Sequence, residues 1–386
     1  MRIKRTLAIL ICISLVMMTV AGCGSSDEDG ALYEHGTDTP PGNTPPSGSD
    51  DCDDCDPLEE AEEILRLLNE QRGSDNFVEF FREMMFEHSE DPGGLLSFPD
   101  GYLFREGDMV SEFFEATTGL EIGEISGIVE TMYGYHIILR LPIDYDTSPI
   151  SPQGHSPTLR QLAAMEDFNL MRLQWSNALE LEYSPEAEDI DLAVIFENGL
   201  DFESSFSGFS PDTVMITAGD FSLTWSHIFA FLFPIVSEVF QYHEASGVEV
   251  DWNEEAFDDS TWAELVLEYA LEEAESILTL MYGIQQNNIV LSDDELQILN
   301  ESIEDQIERH GSKEAFEEFY RDNFGFYNFE IFMELTSIEF GIGALVDSLY
   351  GDDGSDFPDV RVAEYAEANG YLMAMHILRM KHNHDH

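Results

Sequence analysis

Thr131-Met132-Tyr133-Gly134-Tyr135-His136-Ile137-Ile138-Leu139-Arg140-Leu141 is the stretch whose reading decides the fold. It alternates along its length and is rich in Tyr and Ile, the pattern of a strand with neighbouring side chains on opposite faces. A second stretch of this kind lies at the far end of the chain, in 371–381. There Met373-Ala374-Met375-His376-Ile377-Leu378 interrupts a long helical pattern. A buried strand leaves no N–H or C=O unpaired, so each needs a neighbour. Each of the two carries one histidine.

Working outward, Pro57 opens a helical pattern with Ala61, Ile64, Leu65 and Leu68 on one face. A second pattern, with Phe77, Phe80, Phe81, Met84 and Met85, ends before Pro92-Gly93-Gly94. A turn-rich stretch leads to Met109, and Phe113, Phe114 and Ala116 suggest a short helix. Residues 158–183 predict another amphipathic helix. The Asn-Gly, Ser-Ser, Ser-Gly and Ser-Pro pairs of 198–211 mark a boundary. Beyond it come a short strand-like run at 214–217 and then helix after helix to about residue 370. The apolar run 228–236 is short, contains Pro234 and is flanked by His227 and Glu238, so it reads as a buried helix rather than a membrane span.

The N-terminus addresses the compartment. Arg2, Lys4 and Arg5 precede an apolar run, which ends in Val20-Ala21-Gly22-Cys23. This is the small-residue cleavage pattern of a signal peptide, and it resembles the bacterial lipobox with Cys23 as the lipidated residue. The expected location is extracytoplasmic, on the bacterial cell membrane through a lipid anchor. Residues 24–56 are rich in Gly, Ser, Pro and Asp and read as a flexible tether reaching roughly 30 Å. Within it, Cys52 and Cys55 lie among five aspartates. Those charges oppose the thiolate that redox chemistry needs, leaving a local disulfide or a metal clip as the other readings. With 79 acidic against 16 basic residues the formal net charge is −63. Such a field repels nucleic acid and favours cations or basic unfolded polypeptides, although solubility alone also accounts for it.

Over residues 88–141, leading into the first of these strands, a set of motifs falls in order: His88-Ser89-Glu90-Asp91-Pro92-Gly93, Asp100-Gly101-Tyr102, Gly107-Asp108-Met109-Val110, Phe113, Gly123-Glu124-Ile125-Ser126, and Gly134-Tyr135-His136-Ile137-Ile138. Together they resemble the second half of a parvulin domain, the peptidyl-prolyl isomerase module of PrsA- and SurA-type foldases. The strand that opens such a domain, of the Ala-x-His-Ile-Leu kind, stands instead at the C-terminus as Ala374-Met375-His376-Ile377-Leu378. The resemblance implies an α+β fold: a parvulin (FKBP-like) antiparallel sheet with helices, plus a mostly helical chaperone domain. The expected order is a signal peptide (1–22), an acidic linker (23–56), a parvulin domain lacking its first strand (57–145), a helical tail (155–197), a linker (198–213), a helical domain (214–370) and the missing strand (371–381). This is a circular permutation, in which the last strand returns to the one holding His136. Exchange of the strand between copies, or a sheet never completed, are the other readings.

Rotating an X-Pro amide, with its barrier of about 18–20 kcal/mol, needs no covalent step, metal or cofactor. It needs an apolar seat for the ring and a desolvated amide. The resemblance implies that Met109 and Phe113 floor that seat, that Asp91 lies near the substrate carbonyl, and that His136 and His376 face each other with Thr131 in hydrogen-bond reach. Plain core packing would also account for Met109 and Phe113, and a helix stop for Asp91. The family's Gly-Asp-Leu-Gly is replaced by Pro99-Asp100-Gly101-Tyr102, so Tyr102 or Leu103 is expected to stand in for the lost leucine. The terminal His382-Asn383-His384-Asp385-His386 could bind a metal weakly or be a frayed end. Partners implied are newly secreted or unfolded polypeptides with X-Pro bonds. The alternative is a non-catalytic holdase for unfolded clients; an acidic lipoprotein that binds cations is a weaker third reading.

Overall fold

A computed structural model describes residues 56–151, 157–257 and 260–381. Cys23, the signal and tether, Cys52, Cys55 and the terminal histidines lie outside the described residues. In chain order the first elements are helices α1 (Pro57–Gln71), α2 (Phe77–His88) and α3 (Pro92–Leu96), strand β1 (Tyr102–Phe104), α4 (Ser111–Thr118), and strands β2 (Val129–Glu130) and β3 (Gly134–Leu141). Then come α5 (Leu159–Ala178), β4 (Leu181–Tyr183), α6 (Pro185–Glu188), α7 (Leu192–Ile195), α8 (Phe202–Phe206), β5 (Val214–Ala218) and β6 (Phe221–Thr224). The rest is α9 (Trp225–Ser246), β7 (Glu255–Phe257), β8 (Ser260–Thr261), α10 (Trp262–Gln286), α11 (Asp293–His310), α12 (Lys313–Phe324), α13 (Phe329–Tyr350), α14 (Asp359–Ala368) and β9 (Leu372–Met380). The described chain divides into two units: a sheet unit, up to Glu166 and again from Tyr350, and a helical unit, Asp167–Leu349.

The sheet unit is built on four antiparallel strands in the order β1-β9-β3-β2. The C-terminal strand lies at its centre, with Ile137 opposite Ile377 and Gly134 opposite Met380. Gly134 explains why that pairing needs its motif residue. Its φ is +154°, and a Cβ there would fall onto the Arg379 backbone oxygen. Alternation sends Leu103, Ile137, Leu139, Met373, Met375 and Ile377, all buried, toward one face. Helices α1 and α2 pack on β3 and β9, bringing Ala61, Ile64, Leu68, Phe81 and Met85 into the core. On the other face α4 packs against β3 and β9.

The helical unit closes around α9. Trp225, Ile228, Phe229, Leu232, Phe233 and Val236 are all buried there, so the 228–236 run is a core helix as expected. No helix among the described residues is long and apolar enough to cross a membrane. The strands β4-β5-β6 and Val266, Ala270, Ala274 and Leu278 of α10 complete this core. Capping boxes start α10 (Thr261 with Glu264) and α11 (Ser292 with Glu295), each satisfying two otherwise free N–H groups.

Three expected boundaries differ. The helix read at 158–183 ends at Ala178, and Leu181–Tyr183 pairs with β5 as a strand. The 198–213 stretch is not a plain linker: Asp201 caps α8, whose Phe202 and Phe206 are buried in the helical core. Turn residues marked the ends of a short element, and the two Phe supply the apolar area that anchors it. Helix α14, expected in the helical domain, belongs to the sheet unit with the strand it precedes.

Candidate active site

The loop before α3 reaches the site because β1 pairs only with residues 372–374 of β9, leaving the rest of that strand edge open. Residues 88–91 fill it. The Glu90 N–H donates to the Leu378 oxygen (2.9 Å), the Leu378 N–H to Ser89 Oγ (3.2 Å), and the Met380 N–H to the Glu90 carboxylate (2.6 Å). Arg379 answers with a bond to the His88 oxygen (2.9 Å) and an ion pair with Glu60. This places Asp91 beside His376. Asp91 also caps α3, accepting from the Gly93 and Gly94 N–H groups at 3.2 and 3.0 Å. It starts a helix rather than stopping one.

His136 and His376 share the α4 face of the sheet as diagonal neighbours on β3 and β9. Their rings stack at 5.1 Å, with Nδ1 to Nδ1 at 3.0 Å. His136 Nε2 meets Thr131 Oγ1 at 2.8 Å, and His376 Nε2 meets Asp91 Oδ2 at 2.7 Å. The Tyr102 hydroxyl donates to the same Oδ2 at 2.6 Å. Five side chains from β1, β3, β9 and two loops thus form one hydrogen-bonded line.

Its direction follows from the donors available. An ionised carboxylate only accepts, so His376 gives it the Nε2–H, and as a neutral ring it then keeps Nδ1 bare. His136 therefore donates from Nδ1, and its bare Nε2 accepts the Thr131 O–H. Thr131 Oγ1 in turn accepts the Tyr133 N–H at 3.1 Å. Every polar atom of the line is satisfied with both imidazoles neutral. Electrostatics agree. Burial pulls the His136 pKa down to about 3, the repulsion a second proton on the pair would meet adds to this, and Asp91 opposes it. For Asp91, burial resists ionisation, but hydrogen bonds from His376, Tyr102 and the Gly94 N–H outweigh it and hold the carboxyl well below its usual range. Burial and the Asp91 carboxylate both push Tyr102 upward, so its hydroxyl stays a donor.

Phe113 roofs the pair. Its ring is 2% exposed and stands edge-on to His136 (5.6 Å) and His376 (5.2 Å). Tyr102, Phe104, Phe113, Ile138 and Ala374 form the apolar cluster here, with half-buried Met109 and Phe98 packed against it. Met109 precedes the Val110 cap of α4, so it joins Phe113 through the cluster rather than along a helix face. Leu103 does not belong to the pocket: on β1 it alternates to the opposite face from Tyr102 and Phe104. The residue missed in the sequence is Phe104, wholly buried and 5.6 Å from Phe113. Strand alternation from Tyr102 was the signal that could have found it. Gly101, where the family leucine is lost, has φ +113°, and a Cβ there would meet Leu141 Cδ1 at 2.9 Å.

The sheet, with paired histidines and an apolar cluster beside them, is that of a parvulin-type rotamase domain. The PPIC-type PPIASE (rotamase) family matches residues 47–141. Among relatives, the foldase protein PrsA of Halalkalibacterium halodurans is 34% identical over 120 residues, covering 28% of this chain and 36% of that protein. The foldase protein PrsA of Geobacillus kaustophilus is 47% identical over 60 residues, 16% of this chain and 21% of that protein. That of Oceanobacillus iheyensis is 45% identical over 60 residues, 16% and 20% of the two chains. The chain thus spans about a third or less of the length of these relatives. No solved structure matches.

Proposed function

We propose that the chain is a peptidyl-prolyl cis–trans isomerase acting as a foldase for secreted polypeptides. The observation that carries this reading is the apolar cluster of Phe113, Phe104 and Met109 packed beside two hydrogen-bonded imidazoles. A proline ring docked on Phe113 would hold its amide over neutral groups in a dry site, where loss of resonance in the twisted state is cheapest. The imidazoles, tied to Thr131 and Asp91, hold the pocket's shape rather than shuttle protons. The sheet's completion by the C-terminal strand, in register with β3, supports reading the chain as a circular permutation of the parvulin domain, with the helical unit as its chaperone part. Cys23 is the proposed lipid anchor, holding the protein on the outer side of the cell membrane. Replacing Cys23 with Ala should release the protein from the membrane fraction, and retention there would reject the anchor.

The mature chain should accelerate isomerisation of a proline-containing peptide, and His136→Ala or Phe113→Ala should slow it about 10-fold or more. Folded protein without acceleration would reject the reading. A holdase role is the second reading, favoured by apolar side chains that the helical unit leaves exposed, among them Leu173 (60%), Ile298 (58%) and Phe319 (41%). It is distinguished by suppression of client aggregation that survives loss of His136 and Phe113.

A further inference from the structure

We infer that Tyr102 is a positioning residue of the rotamase site, whose hydroxyl holds Asp91 turned inward on His376 and thereby sets the direction of the hydrogen bonds that run through the imidazole pair to Thr131. The inference rests on the isomerase reading for its kinetic consequences, and on geometry alone for its structural content.

Tyr102 was expected to line the substrate pocket in place of a leucine. Its side chain does something else. The ring lies 4.7 Å from Phe98 and 5.6 Å from His376, packed among the site's own side chains. The hydroxyl points at Asp91 Oδ2, which already takes the His376 Nε2–H and the Gly94 N–H, while Oδ1 takes the Gly93 N–H. All four donors face the carboxylate from the protein side. A carboxylate so occupied is not free to approach a substrate carbonyl. Its work is to keep one tautomer on His376, and through it on His136.

Space has been made for this hydroxyl. A Cβ on Gly93 would lie 2.5 Å from the Tyr102 oxygen, so position 93 tolerates the tyrosine because it is glycine. The backbone does not require that glycine, since Gly93 is absent from the left-handed positions. Gly93 and Tyr102 are therefore a matched pair: a short helix start leaves room, and a side chain eleven residues later fills it.

The groups facing Asp91 are Tyr102 from β1 and His376 from β9, with His136 of β3 behind His376. Without the tyrosine hydroxyl the carboxylate keeps fewer donors in a partly buried site, and it gains a proton more readily. A protonated Asp91 can donate, which removes the reason for His376 to hold its Nε2–H. The line then loses its single arrangement.

The test uses the full mature chain with Tyr102→Phe, Gly93→Ala and the double variant. Isomerisation of a proline peptide is followed across pH, and imidazole tautomers are read from nitrogen NMR shifts. Tyr102→Phe should lower kcat/KM about 3- to 10-fold through kcat with KM little changed, and shift its acid limb upward by about one pH unit. Gly93→Ala should do the same by displacing the hydroxyl. Adding Gly93→Ala to Tyr102→Phe should cost little more, because the clashing atom is gone. A Tyr102→Phe variant with the parent's pH profile and tautomers overturns the inference, as do Gly93→Ala effects that simply add. If the parent chain has no isomerase activity, that reading fails by itself. The tautomer spectra then decide: a spectrum unchanged by Tyr102→Phe overturns the role of Tyr102, and a changed one sustains it.

Discussion

In the sheet unit five polar side chains from distant segments bond to one another as a single line; in the helical unit buried polar side chains bond singly, three of them within their own helix. Thr131, His136, His376, Asp91 and Tyr102 come from positions up to 285 residues apart in sequence and are satisfied only when all are in place. Thr279, Thr336 and His243 instead bond the carbonyl four residues back. The local solution costs nothing in assembly and specifies nothing beyond the helix. The cross-element solution holds one geometry, and a half-made network would cost more than none. Chemistry is therefore expected in the sheet unit, while the helical unit needs only sufficient apolar area.

The strongest way to break this contrast is Gly134→Ala. The new Cβ cannot coexist with the Arg379 carbonyl, so the β3–β9 pairing opens. The loss should be comparable with a domain's whole stability of about 5–15 kcal/mol. Circular dichroism should show loss of the sheet unit's transition while the helical one persists; two unchanged transitions would refute the central role of β9. Ile377→Ala, at a site 1% exposed, should cost about 2–5 kcal/mol in the same transition.

Acid should separate the units by sign. His136 is depressed to about 3, so between the unfolded value of about 6.5 and pH 3 the unfolded chain binds the extra proton. Stability of the sheet unit therefore falls as pH falls through that window, by about 2 kcal/mol down to pH 5. In the helical unit burial raises Glu273, against the Arg172 charge, and Glu339, each to about 7. There the folded state binds protons first, so stability rises as pH falls from 7 to 4.5. Glu334, Glu264 and Glu295, all lowered by their hydrogen bonds, act in the opposite sense only below about pH 4.5. Calorimetry at pH 7 and pH 5 should move the two transitions apart, and parallel shifts would contradict the assignment.

The smallest expected effects sharpen the same comparison. Thr131→Val leaves His136 Nε2 without its donor and should cost about 1–3 kcal/mol. Thr279→Val removes a bond within one helix and should cost about 1 kcal/mol or less. Equal losses in chemical denaturation would erase the distinction between the two units.

Much of the site was legible because its residues belong to motifs with fixed chemistry. His136, His376, Thr131, Asp91 and Phe113 were each named because the motifs that hold them resemble those of the parvulin family. Leu103 was misplaced and Phe104 overlooked, since which of two adjacent strand residues faces a pocket depends on pairing register. The short helix α8 was hidden among turn residues because Phe202 and Phe206 earn their place through packing that no local pattern shows.

By itself the sequence determined the character of each segment: alternating strands, apolar helix stripes, capping residues and the identity of the polar side chains. These are local properties, set by side-chain periodicity and hydrogen-bonding capacity within a few residues. Only the tertiary structure decided that β9 fills the sheet centre, that Tyr102 bonds Asp91 instead of lining the pocket, and that the imidazoles meet through Nδ1. Those are contacts between distant segments, and their geometry exists only once burial has forced every polar group to find a partner.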